Sequence, residues 1–301
     1  MSTTQPSLRG VFPVFQTPYL ADETIDYATL EREIHWLFEQ GSHGVVMAMV
    51  SEVLRLSDAE RGQMAQFVCE TGRSKGSVII SVGAESTRQA EAFARQAESV
   101  GAAAVMAIPP VSIAVSEDEL QRYYERILRA IAIPVIVQDA SGYVGRPMSI
   151  GLQARLFNTY GERVMFKPEA TPIGPRLSAL RDATDGKAAV FAGTGGIALV
   201  DSYRRGITGT MPGADLIDAI VALWKALEAG DDAQAYRISL PLSALIATQS
   251  SLDAFLAVEK HLLCRRGLFK NTLVRGPVGY TLDEETRREV DRLFDVLMAA
   301  L

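Results

Sequence analysis

RVMFKPEATP, residues 163–172, closes an apolar run with an ammonium group. Val164, Met165 and Phe166 read as a buried strand, and Lys167, Pro168 and Glu169 follow directly. A buried Lys is costly unless it is paired, neutral or chemically used. Which of these holds depends on what the strand belongs to. Seven other runs have the same character: GVFPVF (10–15), GVVMAM (44–49), SVIISV (77–82), AAVMAI (103–108), PVIVQD (134–139), AVFAG (189–193) and GITGTM (206–211). They are apolar on both faces, as parallel strands covered on both sides are.

Amphipathic helical patterns lie between these runs. Ser57 to Glu60 and Ser116 to Glu119 have the spacing of capping boxes. Gly101 is a helix stop after the pattern at 88–100. Eight strands, each followed by a helix, predict an α/β fold of the (β/α)8 TIM-barrel type over residues 1–230, its last helix at about 214–229 ending at Gly230. Three more helices, at about 232–248, 251–266 and 283–300, predict a C-terminal helical appendix over residues 231–301. No Pro/Gly/Ser-rich linker precedes it, so it is expected to pack on the barrel. An open doubly wound sheet is the rival fold, disfavoured by the regular units and by the lack of GxGxxG after the first strand.

The 301 residues are 48% apolar with a net charge of −6. That supports a large core, argues against a nucleic-acid surface and suits a small-molecule substrate. No apolar run is long enough to span a bilayer, and the opening MSTTQPSLRG lacks the parts of a signal peptide. Cys69 and Cys264 lie far apart in helical contexts and read as buried thiols, which fits a reducing cytoplasm.

Reactive groups of such a barrel project from the C-terminal strand ends. The polar residues there are Thr17, Ser51, Glu52, Gln138, Asp139, Lys167, Glu169 and Thr194. The other lysines fall in loops or on helix patterns, so Lys167 stands apart. Burial favours a neutral amine, which attacks a carbonyl. The alternatives are a Lys that reaches back to solvent, or one paired with Glu169. Tyr143 in GYVG (142–145) either reaches the site or covers it, whereas Tyr123 and Tyr124 are expected to pack. AGTGG (192–196), with Gly193 and Thr194, and GTMPG (209–213) sit where many barrels bind phosphate, but neither contains Lys or Arg. His35, His43 and His261 are not at strand ends, so no metal site is expected and no cofactor is called for.

These residues resemble the dihydrodipicolinate synthase / N-acetylneuraminate lyase family along nearly the whole chain. GVFPVFQTPYLADETIDYATL is similar to its first strand, Thr-Pro turn and Ile-Asp segment. SEVLRLSDAER is similar to its Glu-x-x-x-Leu-Ser segment, GAAAVMAIPP to its fourth strand, and VMFKPEA to the strand bearing the Schiff-base lysine. The resemblance implies that Lys167 is that lysine. It also shows departures. The usual Gly-Thr-Thr-Gly-Glu segment is here Ala48-Met49-Val50-Ser51-Glu52, and the Tyr-Asn ending strand 5 is Gln138-Asp139. The tyrosine lent to a neighbouring subunit falls near Val111-Ser112 and is absent. The pattern resembles one branch, the 2-keto-3-deoxyarabonate dehydratases, in Ser51-Glu52, Val137-Gln138-Asp139-Ala140 and Phe166-Lys167-Pro168-Glu169.

The implied chemistry is dehydration of a 2-oxo acid through an imine on Lys167, with Glu169 as acid and base. Glu169 could instead be ion-paired to an Arg. Ser51 and nearby N–H groups, including those of Val50 and Glu52, would anchor the carboxylate, and Gln138 and Asp139 would hold sugar hydroxyls. Aldol cleavage to pyruvate uses the same imine and differs in where one base sits. A dihydrodipicolinate-synthase-like condensation and deamination of a pyrroline carboxylate remain open, as does a barrel that binds 2-oxo acids without catalysis. The family resemblance also implies a homotetramer.

Overall fold

The structure is a computed structural model and describes residues 8–301. Residues 1–7 of the stretch read for a leader lie outside the described residues. Eight strands run in order: β1 (Gly10–Val11), β2 (Gly44–Met47), β3 (Ser77–Ser81), β4 (Ala104–Ala107), β5 (Val135–Asp139), β6 (Val164–Pro168), β7 (Phe191–Ala192) and β8 (Gly209–Thr210). All pairs are parallel, in two groups ordered β2-β3-β4-β5-β6 and β1-β8-β7. The bridges Val14–Val46 and Phe166–Val190 join the groups and close the barrel. Seven of the eight runs read as strands contain their strand, and β6 extends one residue beyond Lys167, to Pro168. β1 is short because Pro13 offers no N–H, and pairing resumes at Val14.

The barrel helices are α1 (Tyr27–Glu39), α2 (Asp58–Gly72), α3 (Thr87–Ser99), α4 (Glu117–Ala130), α5 (Ile150–Tyr160), α6 (Ile173–Ala183), α7 (Leu199–Arg204) and α8 (Ile217–Ala229). Ser57 and Glu60 form the expected reciprocal box at α2. At α4 only half of it forms. Ser116 accepts from the Glu119 N–H, while the Glu119 carboxylate pairs with exposed Arg122 one turn on. Gly101 and Gly230 follow their helices with positive φ, as left-handed stops.

Side chains alternate along each strand. One set, among them Phe12, Val14, Val46, Ile79, Met106 and Ile136, fills the barrel interior. The other set packs under the helices in the larger core. The inward column of β6 therefore runs through Met165 to Lys167, and that of β5 through Ile136 to Gln138. Gln138 and Lys167 are register partners, which sets them side by side at the top of the barrel.

α9 (Asp232–Ile246), α10 (Leu252–Arg265) and α11 (Glu284–Met298) complete the chain. Leu245, Phe255, Leu262 and Leu297 share one contiguous core with Leu30 and Ile220 of the barrel helices. α10 lies against the short 3-10 turn Met49–Ser51 that follows β2. A buried ion pair fixes it there. Lys260 donates to the Glu52 carboxylate and, at 2.6 Å, to the Leu273 carbonyl, with its ammonium 4.6 Å from the Tyr19 ring centroid. The Arg275 N–H donates to the other Glu52 oxygen at 3.1 Å.

Removing one partner of a buried pair strands the other. Lys260→Met is therefore expected to destabilise the fold by ~3–5 kcal/mol in equilibrium denaturation. Adding Glu52→Gln should recover part of that loss. If the single and double variants are equally unstable, the pair does not hold α10 in place.

Candidate active site

β6 ends in a column of inward residues, and the top of that column is the site. Lys167 Nζ lies 3.1 Å from Glu169 Oε1, with both side chains nearly sealed from water. Gln138 Nε2 donates to Glu169 Oε2 at 2.6 Å, and the Thr194 N–H donates to Oε1 at 3.1 Å. The Glu169 N–H is itself held by the Asp139 carbonyl at 2.9 Å. The carboxylate thus has a cation and two donors fixed around it. Its cation is Lys167, and no Arg pairs with it among the described residues.

Gly193 explains how Glu169 fits. A Cβ at Gly193 would lie 2.1 Å from Glu169 Oε1, so only glycine lets the carboxylate pass. The next residue, Thr194, has φ +55°, a strained value for a β-branched side chain, and this aims its N–H at Glu169. The glycine-rich turn after β7 here makes room for a carboxylate. The one after β8 does likewise, since a Cβ at Gly213 would lie 2.4 Å from Glu259 Oε1.

A pocket of about 410 Å³, open to solvent on one side, meets this group. Gln138, Lys167, Glu169, Thr194 and Tyr143 line it, with Ala48, Met49 and Val50 on the opposite wall. Leu252, Phe255 and Glu259 of α10 form its roof. Tyr143 stacks edge-on against Phe255, ring centroids 5.7 Å apart. Burial, and then the charge of Glu169, push its hydroxyl well above the usual tyrosine range. Tyr143 thus both covers the pocket and presents a protonated hydroxyl to it.

Three expected site residues point elsewhere. Ser51 is fully buried, and its hydroxyl donates to the Phe15 carbonyl at 2.6 Å and accepts from the Ala48 N–H at 3.1 Å. It braces the turn and does not face the pocket. Glu52, with φ +57°, turns its carboxylate to Lys260. Asp139 is the outward neighbour of Gln138. It accepts from the Ser141 and Met148 N–H groups at 3.1 and 3.0 Å and so shapes the loop carrying Tyr143. Gly193 contributes space more than contact. Tyr123 and Tyr124 pack, as expected, against β4.

The roof was not anticipated, because attention to strand ends passes over an appended helix. Its signal is LAVEKHLL (256–263), where Glu259 and Lys260 interrupt an apolar face.

Beneath the roof, Glu33 on α1 is wholly buried, and burial raises its carboxyl to about 8. Asp215 after β8 is raised to about 7 for the same reason. Both hold protons that the unfolded chain has released above the ordinary carboxylate range. Stability is then expected to fall as pH rises from about 5 to about 8, by on the order of a few kcal/mol. Glu33→Gln should flatten that slope in melting curves taken across the range. An unchanged slope would contradict the assignment.

Residues 7–296 match the sequence profile of the dihydrodipicolinate synthetase family. The chain is 30% identical over 300 residues to L-2-keto-3-deoxyarabonate dehydratase of Azospirillum brasilense, covering 96% of this chain and 94% of that one. It is 34% identical over 148 residues, about half of each chain, to 4-hydroxy-tetrahydrodipicolinate synthase of Acidiphilium cryptum. The crystal structure of dihydrodipicolinate synthase from Rhodopseudomonas palustris superposes with a TM-score of 0.86 at 28% identity, over 96% of this chain and 97% of that one.

Proposed function

The chain belongs to the dihydrodipicolinate synthetase family and is a class I, Schiff-base lyase, and on that premise we propose that it removes water from a 2-keto-3-deoxy sugar acid resembling L-2-keto-3-deoxyarabonate. The observation that carries this reading is the Lys167–Glu169 pair, with Gln138 donating to Glu169 where the family resemblance leads one to expect a tyrosine. The similarity to a dehydratase along almost the full length supports the same substrate class.

The residues then divide the work as follows. Glu169, 3.1 Å away, takes the proton that Lys167 must lose before its amine attacks the C2 ketone. Glu169 returns that proton to the adduct hydroxyl, which leaves as water, and is again a carboxylate. The iminium that forms acidifies C3–H. Glu169 removes that proton in turn, and the enamine expels the C4 hydroxyl. Hydrolysis frees the product and the lysine. The substrate carboxylate is placed against Met49 and Val50, whose N–H groups have no backbone acceptor among the described residues and which line the wall facing Lys167. Gln138 fixes the orientation of Glu169, and Tyr143 closes the pocket over the chain of the substrate. From the family resemblance also comes a homotetramer, testable by light scattering, and the free thiols of Cys69 and Cys264 fit a reducing cytoplasm as the site of action.

Borohydride added to a mixture of protein and pyruvate is expected to leave a reduced adduct on Lys167 by peptide mass spectrometry. Protein without any adduct would instead favour a barrel that only binds 2-oxo acids. With 2-keto-3-deoxy sugar acids the expected product keeps every carbon, whereas pyruvate plus an aldehyde would indicate aldol cleavage. Gly193→Ala, which drives a methyl group into Glu169, should slow turnover by about 10²–10⁴-fold while leaving the adduct detectable. Turnover unchanged by that methyl group would contradict the placement of Glu169.

A further inference from the structure

Among the described residues lining the pocket, one carboxyl besides Glu169 is present, that of Glu259 on α10. It is 1% exposed. Gln16 Nε2 donates to its Oε2 at 2.6 Å, and the absent Cβ of Gly213 leaves room for its Oε1. The same Gln16 offers its N–H to Glu33 Oε1 at 2.9 Å. Asp215 stands beside Glu259 from the loop after β8, close enough for its charge to act on it. Three carboxyls from three elements therefore share one dry region behind the pocket. Gln16 Oε1, Glu33 Oε2 and Asp215 Oδ2 are buried there without a hydrogen-bond partner among the described residues. The two neighbouring cations are engaged elsewhere: Lys260 on Glu52 and the Leu273 carbonyl, and Arg266, whose charge also reaches Asp215, on the Asp218 carboxylate and the Asp215 carbonyl. Carboxyls held this closely, away from water and without a dedicated cation, cannot all ionise.

We propose that Glu259 is a second catalytic residue of the pocket, a carboxylic acid that contacts the C4 oxygen of the bound 2-keto-3-deoxy acid and protonates it as it leaves. This rests on the imine reading of Lys167. In the step itself, the Glu259 O–H bond breaks and an O–H bond forms to the C4 hydroxyl oxygen. The C4–O bond breaks, and its electron pair departs with water. The enamine supplies the balancing pair, giving C3=C4 and restoring the iminium at C2. Glu259 is left as a carboxylate while Glu169 holds the proton from C3. Transfer of that proton to Glu259 through the water of the hydrolysis step resets both groups, so one C3–H and one C4–OH have left as one water.

The protonation of Glu259 also bears on which bond breaks. Aldol cleavage needs a base at the C4 oxygen, and elimination needs an acid there. Burial first, and then the charge of Asp215, push the Glu259 carboxyl well above the usual carboxylate range, so it meets that oxygen as an acid.

Glu259→Gln keeps the shape and the contact to Gln16 but has no proton to give. Wild type and variant are compared in three assays: borohydride trapping of pyruvate, exchange of pyruvate methyl protons in D2O, and turnover of 2-keto-3-deoxy sugar acids. The first two need Lys167 and a C3 base but no leaving group. The variant is expected to trap and exchange like wild type and to eliminate water about 10²–10⁴-fold more slowly. Elimination at the wild-type rate overturns the assignment. So does a loss of trapping and exchange in the same proportion, which would mark Glu259 as structural. If wild type cleaves to pyruvate instead of dehydrating, the functional reading fails separately. The acid role of Glu259 is overturned in that case as well, and a variant that exchanges normally and cleaves slowly would mark Glu259 as a base instead.

Discussion

An ammonium and a carboxylate 3.1 Å apart, both closed off from water at the end of β6, set the terms for everything around them. Period-two alternation puts Lys167 and Glu169 on the same face, with Pro168 between them turned outward. The pair cannot rest on its own attraction, because removing two charges from water costs more than their contact returns unless further hydrogen bonds complete them. Those bonds come from the neighbours. Gln138 arrives from β5 by strand register, and the Thr194 N–H arrives from the strained turn after β7. Gly193 supplies the missing volume. Any change that displaces one of these three also displaces the carboxylate.

The second dependency is the roof. A barrel alone leaves its C-terminal mouth open to water, and a wet mouth would weaken each electrostatic contact within it. Here α10 covers the mouth with Leu252, Phe255 and Glu259. Its position is set by Lys260, one residue beyond Glu259, through a buried bond to Glu52 after β2. A residue that sequence comparison places beside the substrate thus serves at one remove, by holding the helix that completes the pocket. The same economy appears in Ser51 and Asp139, which shape the loops that present Val50 and Tyr143.

The fold was legible because its signals are local and repeated: apolar runs of strand length, helix caps at Ser57 and Ser116, and glycine stops at Gly101 and Gly230. Lys167 was legible for a related reason, since a charge ending a buried strand contradicts its surroundings. Glu169 followed from strand period. What could not be read was direction and distance in sequence. Ser51, Glu52 and Asp139 sit at the correct strand ends, yet their side chains turn to the Phe15 carbonyl, Lys260 and the Tyr143 loop, which depends on turns whose φ values a sequence does not state. Glu259 lies 92 positions after Lys167 and reaches the site only through packing of an appended helix.

The central claim is that Glu169 is the base that acts on the imine carried by Lys167. Exchange of the methyl protons of pyruvate in D2O, followed by proton NMR, tests it without any assumption about the natural substrate. Wild-type protein should exchange them readily, and Glu169→Gln should still accumulate the borohydride-reducible adduct, though more slowly, and, once the imine has formed, exchange about 10²–10⁴-fold more slowly. Exchange by Glu169→Gln at the wild-type rate would contradict the account and move the proton transfer to another group in the pocket.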